Sequence, residues 1–320
     1  MTAFFPVRVA ARRDEACDIV SFELEALDGV ALPPFTAGSH IDVRLEDGLI
    51  RQYSLCSDPQ RTHRYQIAVL KEAASRGGSQ AMHERVRAGG LLEISAPRNH
   101  FELAQVAPHS LLLAGGIGVT PILCMAERLS TLGAAFEMNY CARSRERAAF
   151  RERIARSDFA ARVQFHFDDE APSQRLDIER LLRGAPAGTH LYVCGPKGFM
   201  DAVLATARAA DWPEARLHYE FFAAAPSAPV DGASFEVKLA SSGRVIAVPP
   251  QRTVLQALLD AGVEVPVSCE QGICGTCLTK VLEGEPDHRD LFLTPAEQAR
   301  NDCFTPCCSR ARSALLVLDL

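Results

Sequence analysis

The stretch Cys269–Cys277 reads CEQGICGTC, with three cysteines and two glycines in nine residues. Four chemistries compete for it: a disulfide framework, a zinc cage, a redox dithiol and an iron–sulfur loop. Zinc ligands usually come as two well-separated pairs, so a triplet this tight counts against zinc. A dithiol uses only Cys274 and Cys277 and leaves Cys269 without a purpose. The Cys-x4-Cys-x2-Cys spacing is that of a [2Fe–2S] loop. A four-thiolate cluster is anionic and needs backbone N–H groups folded toward sulfur. Gly272 and Gly275 permit the left-handed angles such a loop requires. The fourth ligand is open, because NDCFTPCCSRARS offers Cys303, Cys307 and Cys308. Six of the eleven cysteines lie between Cys269 and Cys308, a clustering that fits metal ligation better than a disulfide network. Cys56, Cys124 and the other scattered cysteines read as small core residues.

The rest of the chain falls into three textures, and 320 residues suffice for three cores. Residues 1–103 carry short alternating strands (VRVAARR, IVSFELEAL, HIDVRLEDG, YQIAVLKEA, LLEISAP), which predict a small antiparallel β-barrel with one helix near Ser79–Val86. Residues 104–224 alternate apolar strands with helical patterns, including ERAAFRERIARS, and predict an α/β parallel sheet. Residues 225–233, rich in alanine and proline, read as a linker. Residues 234–320 open with a hairpin turning at Ser242-Gly243, followed by a helix capped by Thr253, the cysteine loop and a last strand, ALLVLDL.

Two turns in the middle block suit a dinucleotide. LLLAGGIGVTP places Gly115, Gly116 and Gly118 between strand and helix, with Thr120 as the expected N-cap and Pro121 at the first helical position. LYVCGPKGF repeats the logic with Cys194, Gly195 and Pro196. Such turns aim free N–H groups at an anion, and two of them at parallel strand ends line one crevice. Arg143 and Ser144, at a third strand end, are candidates for the adenosine ribose or phosphate. In the first block, RQYSL puts Arg51 and Tyr53 on one face of a strand and Gln52 and Ser54 on the other. Arginine grips a phosphate bidentately, and a tyrosine beside it can stack on a planar ring. Gly77, Gly78 and Ser79 open a helix nearby, and Lys71 precedes them as a further cation for the same cofactor.

RxYSL, then GGS before a short helix, then GGIGVTP, then CGP, in that order, resembles the ferredoxin-NADP reductase superfamily. With CEQGICGTC at the C-terminal end, the whole chain resembles the phthalate dioxygenase reductase and vanillate O-demethylase reductase group. The resemblance implies an FMN-binding barrel, an NAD-binding α/β domain and a β-grasp 2Fe-2S ferredoxin domain. It places the flavin phosphate on Arg51 and Ser79, and the isoalloxazine and ribityl chain on Tyr53 and Ser54. Gly116 and Thr120 then line the nicotinamide path beside Cys194, Gly195 and Pro196, with Glu220 and Phe222 near the flavin. It also supplies the fourth ligand: the family keeps a small apolar residue and then Ser-Arg after it. That register puts Cys307 on iron with Cys269, Cys274 and Cys277, and Cys308 in the apolar slot.

NADH delivers two electrons at once and a [2Fe–2S] cluster accepts one, so a flavin between them makes the three cofactors a sequence. The chain need supply no general acid, base or nucleophile. The expected acceptor is a Rieske-type oxygenase component of an aromatic hydroxylase or O-demethylase. The alternatives are a haem monooxygenase and, in another class, a redox sensor without turnover. A net charge of −6 argues against nucleic acid. The sequence predicts neither a secretory signal nor a membrane span, hence a cytoplasmic, monomeric protein. NADH is favoured over NADPH, although Arg143, Arg145 and Arg147 lie near the strand end that would meet a 2′-phosphate.

Overall fold

The computed structural model describes residues 3–73, 75, 77–222 and 233–320. It divides into two compact units, one reaching from Ala3 to Glu220 and the other beginning at Phe221. Most of the 225–233 linker lies outside the described residues.

The first unit opens with a seven-stranded antiparallel sheet. Its main path runs Ile50–Ser54, Ser39–Arg44, Leu91–Ser95, Phe4–Ala16, Ile19–Ala26, Tyr65–Leu70. A bridge between Leu55 and Ile67 brings the two outer strands together, so the sheet curls into the predicted barrel. Two register shifts in Phe4–Ala16, at Val9/Ala11 and Asp14/Ala16, bend that long strand around the curve. Val7, Val9, Phe22, Leu24, Ile41, Val43 and Ile67 fill the interior. The one helix of this part, Gly78–Glu84, falls where the sequence predicts it.

A five-stranded parallel sheet follows, ordered Val163–Phe167, Phe136–Ala142, Ser110–Gly115, His190–Cys194, Leu217–Glu220. The strand first in sequence sits in the middle, and the chain builds outward from it in both directions. The order therefore reverses between Ser110–Gly115 and His190–Cys194, and a crevice opens at the carboxyl ends of those two strands. Both are buried through their centres, as continuous apolar runs require. Helices Val119–Thr131 and Lys197–Ala209 follow these two strands.

Two local expectations are corrected. The helix after Gly118 begins at Val119, so Thr120 and Pro121 are its second and third residues and Thr120 is not the N-cap. Pro121 is still tolerated, because the first four N–H groups of a helix lack intrahelical acceptors. Within ERAAFRERIARS only Arg151–Ala155 is α-helical, because Phe150 at φ 61° breaks the pattern.

The second unit holds a five-stranded mixed sheet, ordered Val245–Val248, Phe235–Leu239, Leu315–Leu318, Thr279–Glu283, Cys303–Phe304. The hairpin turns at Gly243 with φ 70°, as read from the sequence. Helix Val254–Asp260 starts with a full capping box between Thr253 and Gln256. Val254, Leu255 and Leu258 join Val237, Val248, Phe304 and Leu316 in a core that also takes in Cys277 and Cys307. This is the β-grasp arrangement expected of residues 234–320.

Candidate redox-cofactor sites

Strand Ile50–Ser54 pairs with Ser39–Arg44 so that Val43, Asp42, Ile41 and His40 stand opposite Arg51, Gln52, Tyr53 and Ser54. The Arg51 side chain runs across Gly78: a Cβ there would stand 2.5 Å from Arg51 Cγ and 2.7 Å from Nε. Glycine at 78 therefore seats the arginine at the mouth of the short helix, and two predicted phosphate contacts meet. Ser79 turns inward, its hydroxyl donating to Ser75 Oγ at 3.0 Å and accepting from Glu72 N at 3.2 Å. Lys71 stands apart, its Nζ 3.0 Å from Glu84 Oε1. It borders a shallow cleft of about 330 Å³ with Asp18, Glu72, Ser75 and Gln80, a poor setting for a phosphate beside two carboxylates. Burial pushes the Tyr53 hydroxyl pKa well up, so the ring presents a neutral face.

At the sheet's switch point the two glycine turns pack backbone against backbone. A Cβ on Gly118 would lie 2.2 Å from Cys194 O, and one on Gly195 would lie 2.9 Å from Gly115 Cα. Gly116 adopts φ 53°. The turns carrying Gly115, Gly116 and Gly118 and Cys194, Gly195 and Pro196 are thus brought together at the switch point. Thr120 is buried and donates to Ile117 O at 3.0 Å; it shapes the turn. Arg143 and Ser144 follow directly on strand Phe136–Ala142, with Arg143 exposed. Arg145 is taken by Glu170 at 2.6 Å and Arg147 by Asp18 at 3.4 Å.

The barrel and the parallel sheet meet in a small polar group. Glu220 pairs in register with Cys194 on the adjacent strand, and Ser54 Oγ donates to Glu220 Oε2 at 3.3 Å. Burial raises the Glu220 carboxyl from 4.5 to about 8, and the Ser54 hydrogen bond offsets only part of that. Burial, and then the Glu220 charge, lift the Cys194 thiol well above its ordinary value. His40, unremarked in the sequence, completes the group, with Nδ1 3.9 Å from Glu220 Oε1. Burial first, and then Arg98 and His100, lower its pKa to about 4. At neutral pH the group therefore holds its proton on the carboxyl, with the imidazole neutral. A histidine in an alternating strand looks like any core histidine, so only the fold could reveal it. Phe222 belongs to the second unit.

In the cysteine loop, Cys269, Cys274, Cys277 and Cys307 are all buried. Cys269 meets Cys274, and Cys307 meets Cys277 and Cys308. A [2Fe–2S] cluster takes two thiolates on each iron. The hydrogen bond from Cys269 lowers the pKa of the Cys274 thiol. Gln271 N and Thr276 N point at the sulfurs of Cys269 and Cys274 at 3.3 and 3.4 Å. Gly272 and Gly275 adopt φ 72° and 66°, the left-handed conformation anticipated for them. The donor set fits a [2Fe–2S] cluster. Cys308 meets the Cys307 side chain as well, and its Sγ lies 3.2 Å from Thr305 Oγ1. Cys303 lies on the edge strand. Arg310, the arginine of the Ser-Arg pair that set the ligand register, is buried and donates to the carbonyls of Arg252, Ala233 and Pro249.

A switch-point nucleotide crevice, an arginine-bearing barrel strand and an iron–sulfur loop define an electron-transfer oxidoreductase. Comparison with known proteins agrees. Residues 237–312 match the 2Fe-2S iron-sulfur cluster binding domain family, and residues 95–217 match the dimethylamine monooxygenase subunit DmmA-like N-terminal domain. A vanillate O-demethylase oxidoreductase of Pseudomonas sp. (strain HR199 / DSM 7063) is 57% identical over 314 residues, 98% of this chain and 99% of the relative. The crystal structure of phthalate dioxygenase reductase superposes with TM-score 0.77 at 38% identity, covering 99% of this chain and 98% of that one. An intact type IV self-sufficient cytochrome P450 monooxygenase superposes with TM-score 0.86 at 39% identity over 98% of this chain, but only 41% of its own length. The chain belongs to the vanillate O-demethylase and phthalate dioxygenase reductase family of iron–sulfur flavoprotein oxidoreductases. Among the described residues, no helix is long and apolar enough to cross a membrane.

Proposed function

We propose that this protein is the NADH-dependent reductase of a two-component Rieske-type aromatic oxygenase or O-demethylase, monomeric and cytoplasmic. The observation that carries the reading is the presence in one chain of a nucleotide-type switch point and four buried cysteines, matched over 98% of its length by an O-demethylase reductase.

FMN, when bound, would supply the means to take one hydride, two electrons, from NADH and pass the electrons on singly. Arg51, with Gly78 clearing its path, holds the flavin phosphate, and Tyr53 and Ser54 face the ring and ribityl chain. The glycine turns bring backbone N–H groups to the dinucleotide, while Gly118 and Gly195 let the two turns close on each other. Glu220 keeps its proton, so the floor of the pocket is uncharged where negative charge arrives. Cys269, Cys274, Cys277 and Cys307 would hold the [2Fe–2S] cluster, which supplies one-electron transfer. The engagement of Arg145 and Arg147 with carboxylates leaves Arg143 as the cation for the adenosine end, which favours NADH over NADPH.

Anaerobic mixing of the purified holoprotein with NADH tests the reading. Bleaching of flavin absorbance followed by that of the cluster is expected, then electron delivery to a Rieske oxygenase. Flavin bleaching without cluster reduction would overturn it.

A further inference from the structure

Beneath the cysteine loop lies a buried acid–histidine pair that no step of the proposed electron path uses. The Asp290 side chain is 0% exposed and that of His288 8%. Asp290 Oδ2 accepts from Leu293 N at 2.7 Å and Oδ1 from Ser309 Oγ at 3.5 Å. Its Cα and Cβ press on the loop: a Cβ on Gly272 would lie 3.1 Å from each, and 2.3 Å from Cys308 Sγ. Leu291 N donates to Gly272 O at 2.9 Å, and the Phe292 ring covers Gly275 so closely that a Cβ there would lie 2.3 Å from it. Residues 290–292 thus clasp the loop at both glycines, with a carboxylate at the inner end.

A buried carboxyl needs polar partners. His288 Nε2 lies 3.3 Å from Asn301 Oδ1 and Nδ1 lies 3.6 Å from Asp290 Oδ1. The imidazole thus stands between Asp290 and Asn301, and it is Asp290 that packs on Gly272.

We propose that Asp290 and His288 set the reduction potential of the cluster, Asp290 lowering it and His288 tempering that effect. Adding an electron to an already anionic cluster is opposed by a fixed negative charge in a medium that screens poorly. The pair keeps the reduced cluster a strong donor to its acceptor. This inference rests on the assignment of the cluster to Cys269, Cys274, Cys277 and Cys307.

The test is a redox titration of the holoprotein at neutral pH, with the EPR signal of the reduced cluster as readout. Asp290→Asn keeps the shape and an acceptor for Leu293 N while removing the charge. It should shift the oxidised-to-reduced equilibrium at least tenfold toward reduction, a rise of 59 mV for one electron. His288→Gln should shift it the other way. Shifts of opposite sign support the proposal, since mere loosening of the clasp moves both variants in one direction. Shifts of the same sign, or an unmoved Asp290→Asn, overturn it. If Asp290→Asn loses its cluster, the sign of the His288→Gln shift decides alone. A wild-type protein without a cluster signal would count against the ligand assignment instead.

Discussion

Replacing Glu220 by glutamine exposes the cost of the buried carboxyl. Gln keeps the volume and an acceptor for Ser54 but never ionises. The folded-state pKa is about 8 against an ordinary value of 4.5. Below pH 4.5 the carboxyl is protonated in both states, so wild type and variant should be alike in stability. Between those values the unfolded chain releases a proton that the folded chain retains. Wild type therefore loses ground by about 1.4 kcal/mol per pH unit, and the difference levels off above the folded pKa. The full span of 3.5 units corresponds to roughly 5 kcal/mol, an upper bound because the side chain is 16% exposed. At pH 7 a gain of roughly 2–3 kcal/mol for Glu220→Gln is expected. The sole tryptophan, Trp212, lies in the same unit as Glu220, so urea unfolding followed by its fluorescence reports the right body. Measurements at pH 5 and pH 7.5 isolate the linkage. An equal stability difference at both values would refute a raised carboxyl and imply that Glu220 ionises freely in the folded protein.

Gly118→Ala places a methyl group 2.2 Å from the Cys194 carbonyl; NADH oxidation should fall at least tenfold while bound flavin absorbance persists. Gly78→Ala pushes on the Arg51 side chain, and flavin affinity by fluorescence titration should weaken about tenfold, the worth of one charge-assisted contact. Cys307→Ser should abolish the visible and EPR signals of the cluster, whereas Cys308→Ser should keep them; the reverse outcome would move the ligand by one position. Arg310→Ala removes a buried group bonded to three carbonyls and should destabilise the second unit by about 3 kcal/mol, read as a lower denaturation midpoint of the cluster absorbance.

Some of this was written in short-range chemistry. Alternation in HIDVRLEDG and YQIAVLKEA, the apolar runs SLLLAGG and HLYVCGP, and Thr253 three residues before Gln256 each dictate a local conformation that needs no distant partner. The glycines were equally legible, because Gly116, Gly272 and Gly275 take backbone angles that side chains resist. The capping of the helix after Gly118 was misread by two residues, since several orphan N–H groups at a helix start can accommodate proline and the sequence does not single one out.

What the tertiary structure alone decided is which of these pieces touch. Gly118 could be any turn glycine until strand His190–Cys194 arrives beside it and fills the space a Cβ would need. Glu220 lies 166 positions from Ser54, and nothing near either residue foretells a shared hydrogen bond or a carboxyl that keeps its proton. His40, His288 and Asp290 look ordinary in the chain, since burial and partners belong to the fold. The structure brings Cys307 to both Cys277 and Cys308, so the assignment of Cys307 rather than Cys308 to iron rests on the family register read from the sequence. The sequence by itself determined which chemistries were available, because those depend on residue type and spacing. Burial and approach across the fold decided which atoms hold the charge and the proton.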